Sequence, residues 1–254
     1  MKASLAKAWR LIKHFLGFFL IFWFAFTIYC IFSTPELCDL KKENPKTTAF
    51  QELRKKQWEK KKVKKKIVKI WVPLTAISPH LRNAVLTAED PNFYHHHGLD
   101  LYAIKLAMEE NWEEKSIVRG ASTITQQLVK NLYLSPSQNP MRKWQEAILA
   151  LRVERCVSKN RLLEIYLNVI EWGEAVYGVE AASRKYFGKS AGALDPAESA
   201  LLAAMIPNPI ARNPYKWNPK VQKKKNILLK LMWKTGKISK SQYESAVNEK
   251  INLR

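Results

Sequence analysis

The sequence has little of what marks a disulfide-stabilised or metal-binding protein. Its three cysteines are odd in number and form no C-x-x-C pair, so neither a disulfide framework nor a zinc site is expected. Three consecutive histidines at 95–97 cannot all face one ion from a helix, and no partner stands at ligand spacing. We therefore predict no metal site in this chain.

Acidic residues are scarce relative to basic ones. Lys and Arg number 43 against 22 Asp and Glu, which gives a net charge of +21. Such a surface favours partners that carry phosphate: nucleic acid, anionic lipid headgroups or a phosphorylated substrate. The sequence has no zinc-finger or RNP-like motif, and the apolar segment described next disfavours nucleic acid further.

Residues 14–32 form an apolar run without a charged side chain. At 1.5 Å per residue the run spans about 28 Å, close to the hydrocarbon thickness of a bilayer. A cleaved signal peptide would have a shorter apolar region ending in small residues, whereas Ile31 and Phe32 are bulky. We predict a retained single transmembrane helix, preceded by a cytoplasmic tail at 1–13 that has basic residues and no acid.

Residues 33–70 are predicted to form a basic stem. The lysine-rich run 54–66 within it is expected to be helical. It is either a solvated charged face or a segment attracted to anionic headgroups, by about 1 kcal/mol per basic residue near the surface. Because basic residues lie on both sides of the apolar run, the positive-inside rule alone does not decide the orientation of the helix. Most of the charge in the stem lies far from the anchor, so we favour an orientation with the N-terminus in the cytoplasm and the following domain outside it.

Residues 71–254 show helical periodicity almost throughout, with no strand alternation of any length and no internal repeat. Helices are expected at 78–90, 175–187 and 195–206, among others, and we predict one mainly α domain over this range. The basic stretch 218–236 is interpreted as an amphipathic helix that faces the core, in preference to one that contacts anionic lipid.

The stretch 89-EDPNFYHHHG-98 places adjacent carboxylates at the end of a helix that stops at Pro91. Glu89 therefore lies at a helix C-terminus, where the dipole disfavours negative charge, a placement that suits a general base. A solvated acidic cap explains the local sequence equally well.

Polar residues crowd the start of a second helix in 120-GASTITQQ-127. Thr123 and Gln126 fit a capping box, and Gly120 permits unusual backbone angles or a close backbone approach. The other polar side chains suit a phosphate or pyrophosphate bound at the helix N-terminus: Ser122, Thr125, Gln127 and Lys130.

The stretch 142-RKWQE-146 pairs basic and acidic side chains at helical spacing. Arg142 and Lys143 stand four and three residues before Glu146. A helix-surface ion pair is the usual explanation of such a pattern. The nearby carboxylate at 89 and the polar helix start favour a functional role instead.

Five blocks in order resemble the peptidoglycan glycosyltransferases of glycosyltransferase family 51. They are the three stretches above together with 159-KNRLLEIYLN-168 and 181-AASRKYFGK-189. The resemblance covers roughly residues 68–215 and points to the monofunctional members, which have one anchor and no transpeptidase. It implies a lysozyme-like, mainly α fold with a membrane-facing small lobe.

The resemblance implies that the protein polymerises glycan strands from lipid II, a disaccharide-peptide on a polyprenyl pyrophosphate. The growing chain would be the donor and lipid II the acceptor, at the outer face of the inner membrane, with inversion at the anomeric carbon. Implied partners are lipid II, the glycan chain, membrane lipids and other cell-wall synthesis proteins, and not nucleic acid. No cofactor is required, although a divalent cation (Mg²⁺ or Mn²⁺) is compatible with the family.

Motif position also implies roles for individual residues. Glu89 resembles the base that takes the proton of the acceptor 4-hydroxyl, and Glu146 resembles a second essential carboxylate near the donor pyrophosphate. Five residues would bind or orient that pyrophosphate: Ser122, Gln127, Lys130, Arg142 and Lys143. Ten more would support the site: Asp90, Phe93, His96, Gly98, Gly120, Thr123, Gln126, Tyr166, Asn168 and Tyr186. The sequence departs from the family pattern at Gln138, where relatives often have an Arg.

Two rival hypotheses remain. A lysozyme-like hydrolase or lytic transglycosylase would use Glu89 as an acid, but it would not need Lys130 and Arg142 arranged for pyrophosphate. A membrane-tethered scaffold for cell-wall enzymes would keep its activity in cells without Glu89.

Overall fold

The computed structural model describes residues 2–33, 36–116, 120–134, 139–216 and 218–254. Most of these residues are helical, as the sequence predicts. The helices are α1 Lys2–Phe32, α2 Ala49–Lys60, α3 Pro79–Glu89, α4 Leu101–Glu113, α5 Ile124–Tyr133, α6 Pro140–Glu154, α7 Lys159–Val169, α8 Val179–Phe187, α9 Pro196–Met205, α10 Pro219–Lys234 and α11 Lys240–Asn248.

A small sheet was not predicted. Strands β1 (Val68–Lys69) and β3 (Val176–Tyr177) pair in parallel, and β2 (Glu171–Gly173) pairs antiparallel to β3. Strands of two or three residues are too short to show an alternating pattern, which is why the sequence did not reveal them. The helix predicted from residue 175 accordingly begins only at Val179. Gly178 precedes it at φ +81°, a conformation that favours glycine.

The core is built around α9, which is buried along nearly its whole length. Asp195 and Glu198 form a capping box at its start, and Pro196 occupies the first turn, as the sequence predicts. Helix α3 packs against α9 and α10, while α5 packs against α6 and α7. Val221, Leu228 and other apolar residues of α10 are buried, so its core-facing interpretation is confirmed.

One helix in the described ranges is long and apolar enough to cross a membrane, over Trp9–Phe32. It packs against α6. The rings of Trp23 and Trp144 lie 5.4 Å apart, and Trp144 Nε1 donates a hydrogen bond of 3.0 Å to Thr27 Oγ1. The predicted anchor therefore contacts the domain directly.

Much of the segment 33–70 also packs against the rest of the protein. Leu37 and Leu40 belong to the hydrophobic core, and Trp58 of α2 is buried. The helix predicted for the lysine-rich run ends at Lys60 and does not reach residue 66. Lysines at i, i+3 and i, i+4 repel one another on a helix, which disfavours its extension through this run.

The expectation that disulfides are absent is wrong. Cys38 and Cys156 are bonded across 118 residues, with their Cα atoms 5.5 Å apart. The third cysteine, Cys30, is free and buried in α1. Spacing could not reveal the bond, because the partners are distant in sequence and the total number of cysteines is odd.

Candidate active site

Glu89 lies at the last position of α3, and its side chain is only 11% exposed. Gln127 Nε2 donates to Glu89 Oε2 at 2.9 Å, and Tyr166 donates its hydroxyl proton to Gln127 Oε1 at 2.9 Å. On the other side, Lys224 Nζ of α10 is 3.5 Å from Glu89 Oε1. Glu89 is thus a positioned carboxylate and not a solvated cap.

Asp90 joins the end of α3 to the start of α5. Its buried carboxylate accepts the backbone N–H of Ile124 at 2.9 Å and contacts His96 Nε2 at 3.0 Å. A carboxylate is favoured at a helix N-terminus, where the first N–H groups have no partner within the helix. This contact fixes the first turn of α5 so that Gln127 reaches Glu89.

The start of α5 is fixed by two further contacts. Thr123 and Gln126 form the predicted capping box, and Thr123 Oγ1 donates to the carbonyl of Gly98 at 2.7 Å. Gly98 has φ +89°, and a Cβ there would lie 2.8 Å from the carbonyl carbon of Ala150. Both the backbone conformation and the close approach to α6 therefore require glycine at position 98.

Gly120 does not behave as expected from the sequence. Among the described residues nothing lies within 4 Å of a Cβ added there, and its φ is not in the left-handed region. Thr125 is also misassigned as a hydroxyl of the anion site, because it donates to Glu154 Oε1 on the other side of α5. Lys159 also pairs with Glu154, at 2.7 Å, and lies over the ring of buried Phe93.

Three further motif residues are buried and form structural contacts. Asn168 accepts the N–H of Val72 and donates to its carbonyl, both at 2.9 Å. Tyr186 donates to the carbonyl of Trp172 at 3.1 Å. Burial raises the pKa of Tyr166 well above its ordinary value, and nearby Glu89 and Asp90 raise it further, so its hydroxyl stays a donor to Gln127.

A group of cations surrounds Glu146 on α6. Lys143 Nζ donates to Glu146 Oε2 at 2.9 Å and to Ser122 Oγ at 2.7 Å, and Arg142 pairs with Glu146 Oε1. Glu146 is only 2% exposed, which is unlike a helix-surface ion pair. Its carboxylate holds both cations next to the start of α5, where Ser122 lies.

Lys130 of α5 differs from Arg142 and Lys143 in its surroundings. Its ammonium forms no hydrogen bond or ion pair with any residue in the described part of the chain. Burial lowers the pKa of Lys130; Glu146 and Glu89 oppose that effect, whereas Arg142 and Lys143 add to it. The electrostatic influence of both carboxylates places Lys130 near each of them.

Glu89, Ser122, Gln127, Lys130 and Tyr166 line one cleft of about 400 Å³. The remaining lining residues come from α2, α5, the end of α7, strand β2 and the loop after α9: Phe50, Arg54, Asn131, Ile170, Glu171, Ile206, Pro207, Asn208 and Pro209. Sequence reasoning missed Arg54, Lys224 and the 206–209 loop. Charge and turn composition could have marked them, but only tertiary packing brings them to the cleft.

A divalent cation has no evident site here. Within the residues that the structure describes, no group of three His, Cys, Asp or Glu side chains could hold one. Gln138, the departure noted in the sequence, lies outside the described residues.

Comparisons with known proteins identify the family of the chain. A family model described as Transglycosylase matches residues 55–233. A relative from Nitrosospira multiformis is 44% identical over 186 residues, which cover 73% of this chain and 81% of the relative. A relative from Chromobacterium violaceum is 38% identical over 208 residues, which cover 82% and 91%. Both are named biosynthetic peptidoglycan transglycosylases.

A solved structure, penicillin-binding protein 1A from Haemophilus influenzae, matches 74% of this chain and 18% of its own, with 21% identity and a TM-score of 0.43. The family match alone spans more than half of the sequence.

The family match and these relatives identify a glycosyltransferase. The chain belongs to the transglycosylase family, which confirms the resemblance seen in the five sequence blocks and the enzyme class inferred from it.

Proposed function

We propose that the protein polymerises peptidoglycan glycan strands from lipid II, with Glu89 as general base and release of polyprenyl pyrophosphate. The observation that carries this is the shared cleft of Glu89, held by Gln127 and Lys224, and Lys130, whose ammonium has no partner among the described residues. A base alone would suit many reactions. A base beside a partly buried cation that has no partner among the described residues suits transfer to a hydroxyl from an anionic leaving group.

In the proposed reaction, the 4-hydroxyl of the acceptor sugar gives its proton to Glu89 as its oxygen attacks the anomeric carbon of the donor. The bond from that carbon to the pyrophosphate breaks, and the departing oxygen takes the electron pair. Attack from the opposite face inverts α to β. A pyrophosphate leaving group needs no proton, so cations can stabilise it without a general acid.

The cations around the leaving group have distinct surroundings. Lys130 is proposed to contact the pyrophosphate directly, because its charge is otherwise unmatched. Lys143 and Arg142 are oriented by Glu146, and Lys143 already reaches Ser122 at the start of α5. Glu146 is therefore proposed to position these two cations for the pyrophosphate.

We place the domain outside the cytoplasm, anchored in the inner membrane by α1. The Cys38–Cys156 disulfide supports this orientation independently of the charge count, because disulfides persist in oxidising compartments and are rare in the cytosol. Cys38 follows α1 by a few residues, so the bond reports on the side of the membrane to which the domain emerges.

The test is polymerisation of purified lipid II by the full chain in liposomes, comparing the wild type with Glu89→Gln. The amide keeps the shape and loses the base, so the rate should fall by about 10²- to 10⁴-fold with the thermal unfolding midpoint unchanged. Polymer formation by Glu89→Gln at the wild-type rate would refute the assignment of the base. Cleavage of lipid-free glycan strands by the wild type, without polymerisation, would favour the hydrolase.

A further inference from the structure

A second cavity of about 440 Å³ lies along α3 and α10. Its lining includes Arg82 and Leu86 of α3, Leu231 of α10, and Tyr94 and His95 from the segment after Pro91. None of these residues has a part in the mechanism proposed above. We refer to this cavity as the Arg82 pocket.

The helix geometry connects the Arg82 pocket to Glu89. Arg82, Leu86 and Glu89 are spaced by four and three residues, so they share one face of α3. On α10, Lys224 and Leu231 are seven residues apart and also share a face. Lys224 contacts Glu89 near one end of this helix pair, and Arg82 and Leu231 line the pocket near the other. Seven residues of helix span about 10 Å.

The Arg82 pocket is cationic. Arg82, His95 and Lys237 line the pocket, and no acidic residue is among the residues described there. Arg82 forms no ion pair with any described residue, and its Nε atom is buried without a hydrogen-bond partner. A buried donor without an acceptor is unfavourable, so the guanidinium is not fully satisfied by the described residues.

The surroundings of Arg82 suit a carboxylate. The guanidinium offers a planar pair of donors that matches a carboxylate, while Tyr94 beside it is half exposed. Arg82 and Tyr94 line the same pocket, where burial raises the pKa of Tyr94 and the positive charge of Arg82 opposes that rise. Leu86, Leu231 and Pro79 supply apolar surface next to this polar pair.

We propose that the Arg82 pocket binds a carboxylate of the peptide carried by the acceptor saccharide while its 4-hydroxyl lies at Glu89. The inference rests on the proposed function, since it takes the acceptor to be a disaccharide-peptide. Arg82 and Glu89 lie on one face of α3, about 10 Å apart along the helix, so an acceptor whose sugar lies at the base can place its peptide in the pocket. Recognition of the peptide would then orient the hydroxyl for attack.

Binding is tested first, without catalysis. The probe is a soluble muramoyl peptide, titrated calorimetrically into the full chain in detergent, alongside the same peptide with amidated carboxyl groups. Arg82→Gln should weaken binding of the free acid about tenfold, as expected for loss of one charge-assisted hydrogen bond, and leave the amidated peptide unaffected. Lys240→Gln on α11 removes the same charge from a side chain that is 71% exposed. It should change the binding of neither the free acid nor the amidated peptide.

Kinetics give the second measurement. Arg82→Gln should raise KM for lipid II about tenfold with kcat nearly unchanged, and Lys237→Gln should act in the same direction. With lipid II that lacks its peptide, the wild type and Arg82→Gln should have equal KM values. Equal binding of the acid by wild type and Arg82→Gln, or an equal loss in Lys240→Gln, would overturn the proposal. Failure of the wild type to polymerise lipid II would refute the proposed function, whereas the binding result would still decide the pocket.

Discussion

Replacement of Lys130 by Met should lower activity and leave stability unchanged or higher. The two side chains have similar length, so the substitution removes the charge and keeps most of the packing. In the free protein Lys130 has no partner among the described residues, and burial lowers its pKa. The charged form is therefore destabilising when the cleft is empty, and its removal should not lower the thermal unfolding midpoint.

The pH dependence follows from the direction of this shift. The folded-state pKa of Lys130 lies below the unfolded value, so the folded protein binds fewer protons over that interval. The contribution of Lys130 to the free energy of unfolding should then rise with pH between the folded and unfolded pKa values. In Lys130→Met that rise should be absent.

Activity should change in the opposite sense. Removing one preorganised donor that stabilises charge in a transition state costs about 2.7–4 kcal/mol, or about 10²- to 10³-fold in kcat. The assay is lipid II polymerisation in liposomes, with circular dichroism melts of the same preparations. Lys240→Met, which removes a charge that is 71% exposed, is the matched control and should behave as wild type. Full activity in Lys130→Met, or a loss that follows a lower unfolding midpoint, would refute the reasoning.

Two further predictions concern the framework. Cys38→Ser together with Cys156→Ser should lower the free energy of unfolding by roughly 4–5 kcal/mol, because the bond closes a loop of more than 100 residues. Denaturant titration measures this change, and dithiothreitol should lower the unfolding midpoint of the wild type only. Gly98→Ala should lower the free energy of unfolding by about 1–3 kcal/mol, because position 98 has φ +89° and a Cβ there would press on the backbone of Ala150. Gly120→Ala should leave the free energy of unfolding unchanged. Equal unfolding midpoints for the two variants would contradict the geometric argument.

The helices were predictable because their signals are local. Ser78 and Pro79 mark the start of α3, and the capping box of Thr123 and Gln126 marks the start of α5. These signals depend only on spacing within a few residues, and the structure reproduces them. The sheet, the disulfide and the start of α8 were missed, because each depends on partners distant in sequence or on a strand of two residues.

The candidate site likewise has features that local sequence predicts and features that only tertiary packing reveals. The motif blocks identified the residues that surround the cleft, but the separate roles of Asp90 as a structural link and Glu89 as the accessible carboxylate appear only in three dimensions. The contact of Lys224 with Glu89 spans 135 residues, and no local pattern predicts it. The absence of a partner for Lys130 among the described residues is likewise a property of packing.

Helix α6 connects the cleft to the predicted anchor. Arg142 and Glu146 are one turn apart on one face, whereas Trp144, two positions from each, points to the opposite side of the helix and contacts α1. Further along, Arg152 donates to the carbonyl of Ile31 at 2.7 Å, at the C-terminal end of α1, where a cation is favoured. A single helix thus separates the cations proposed to bind pyrophosphate from the predicted anchor. Because the width of α6 sets the distance between them, the packing of α1 against the domain determines how far these cations lie from the predicted anchor.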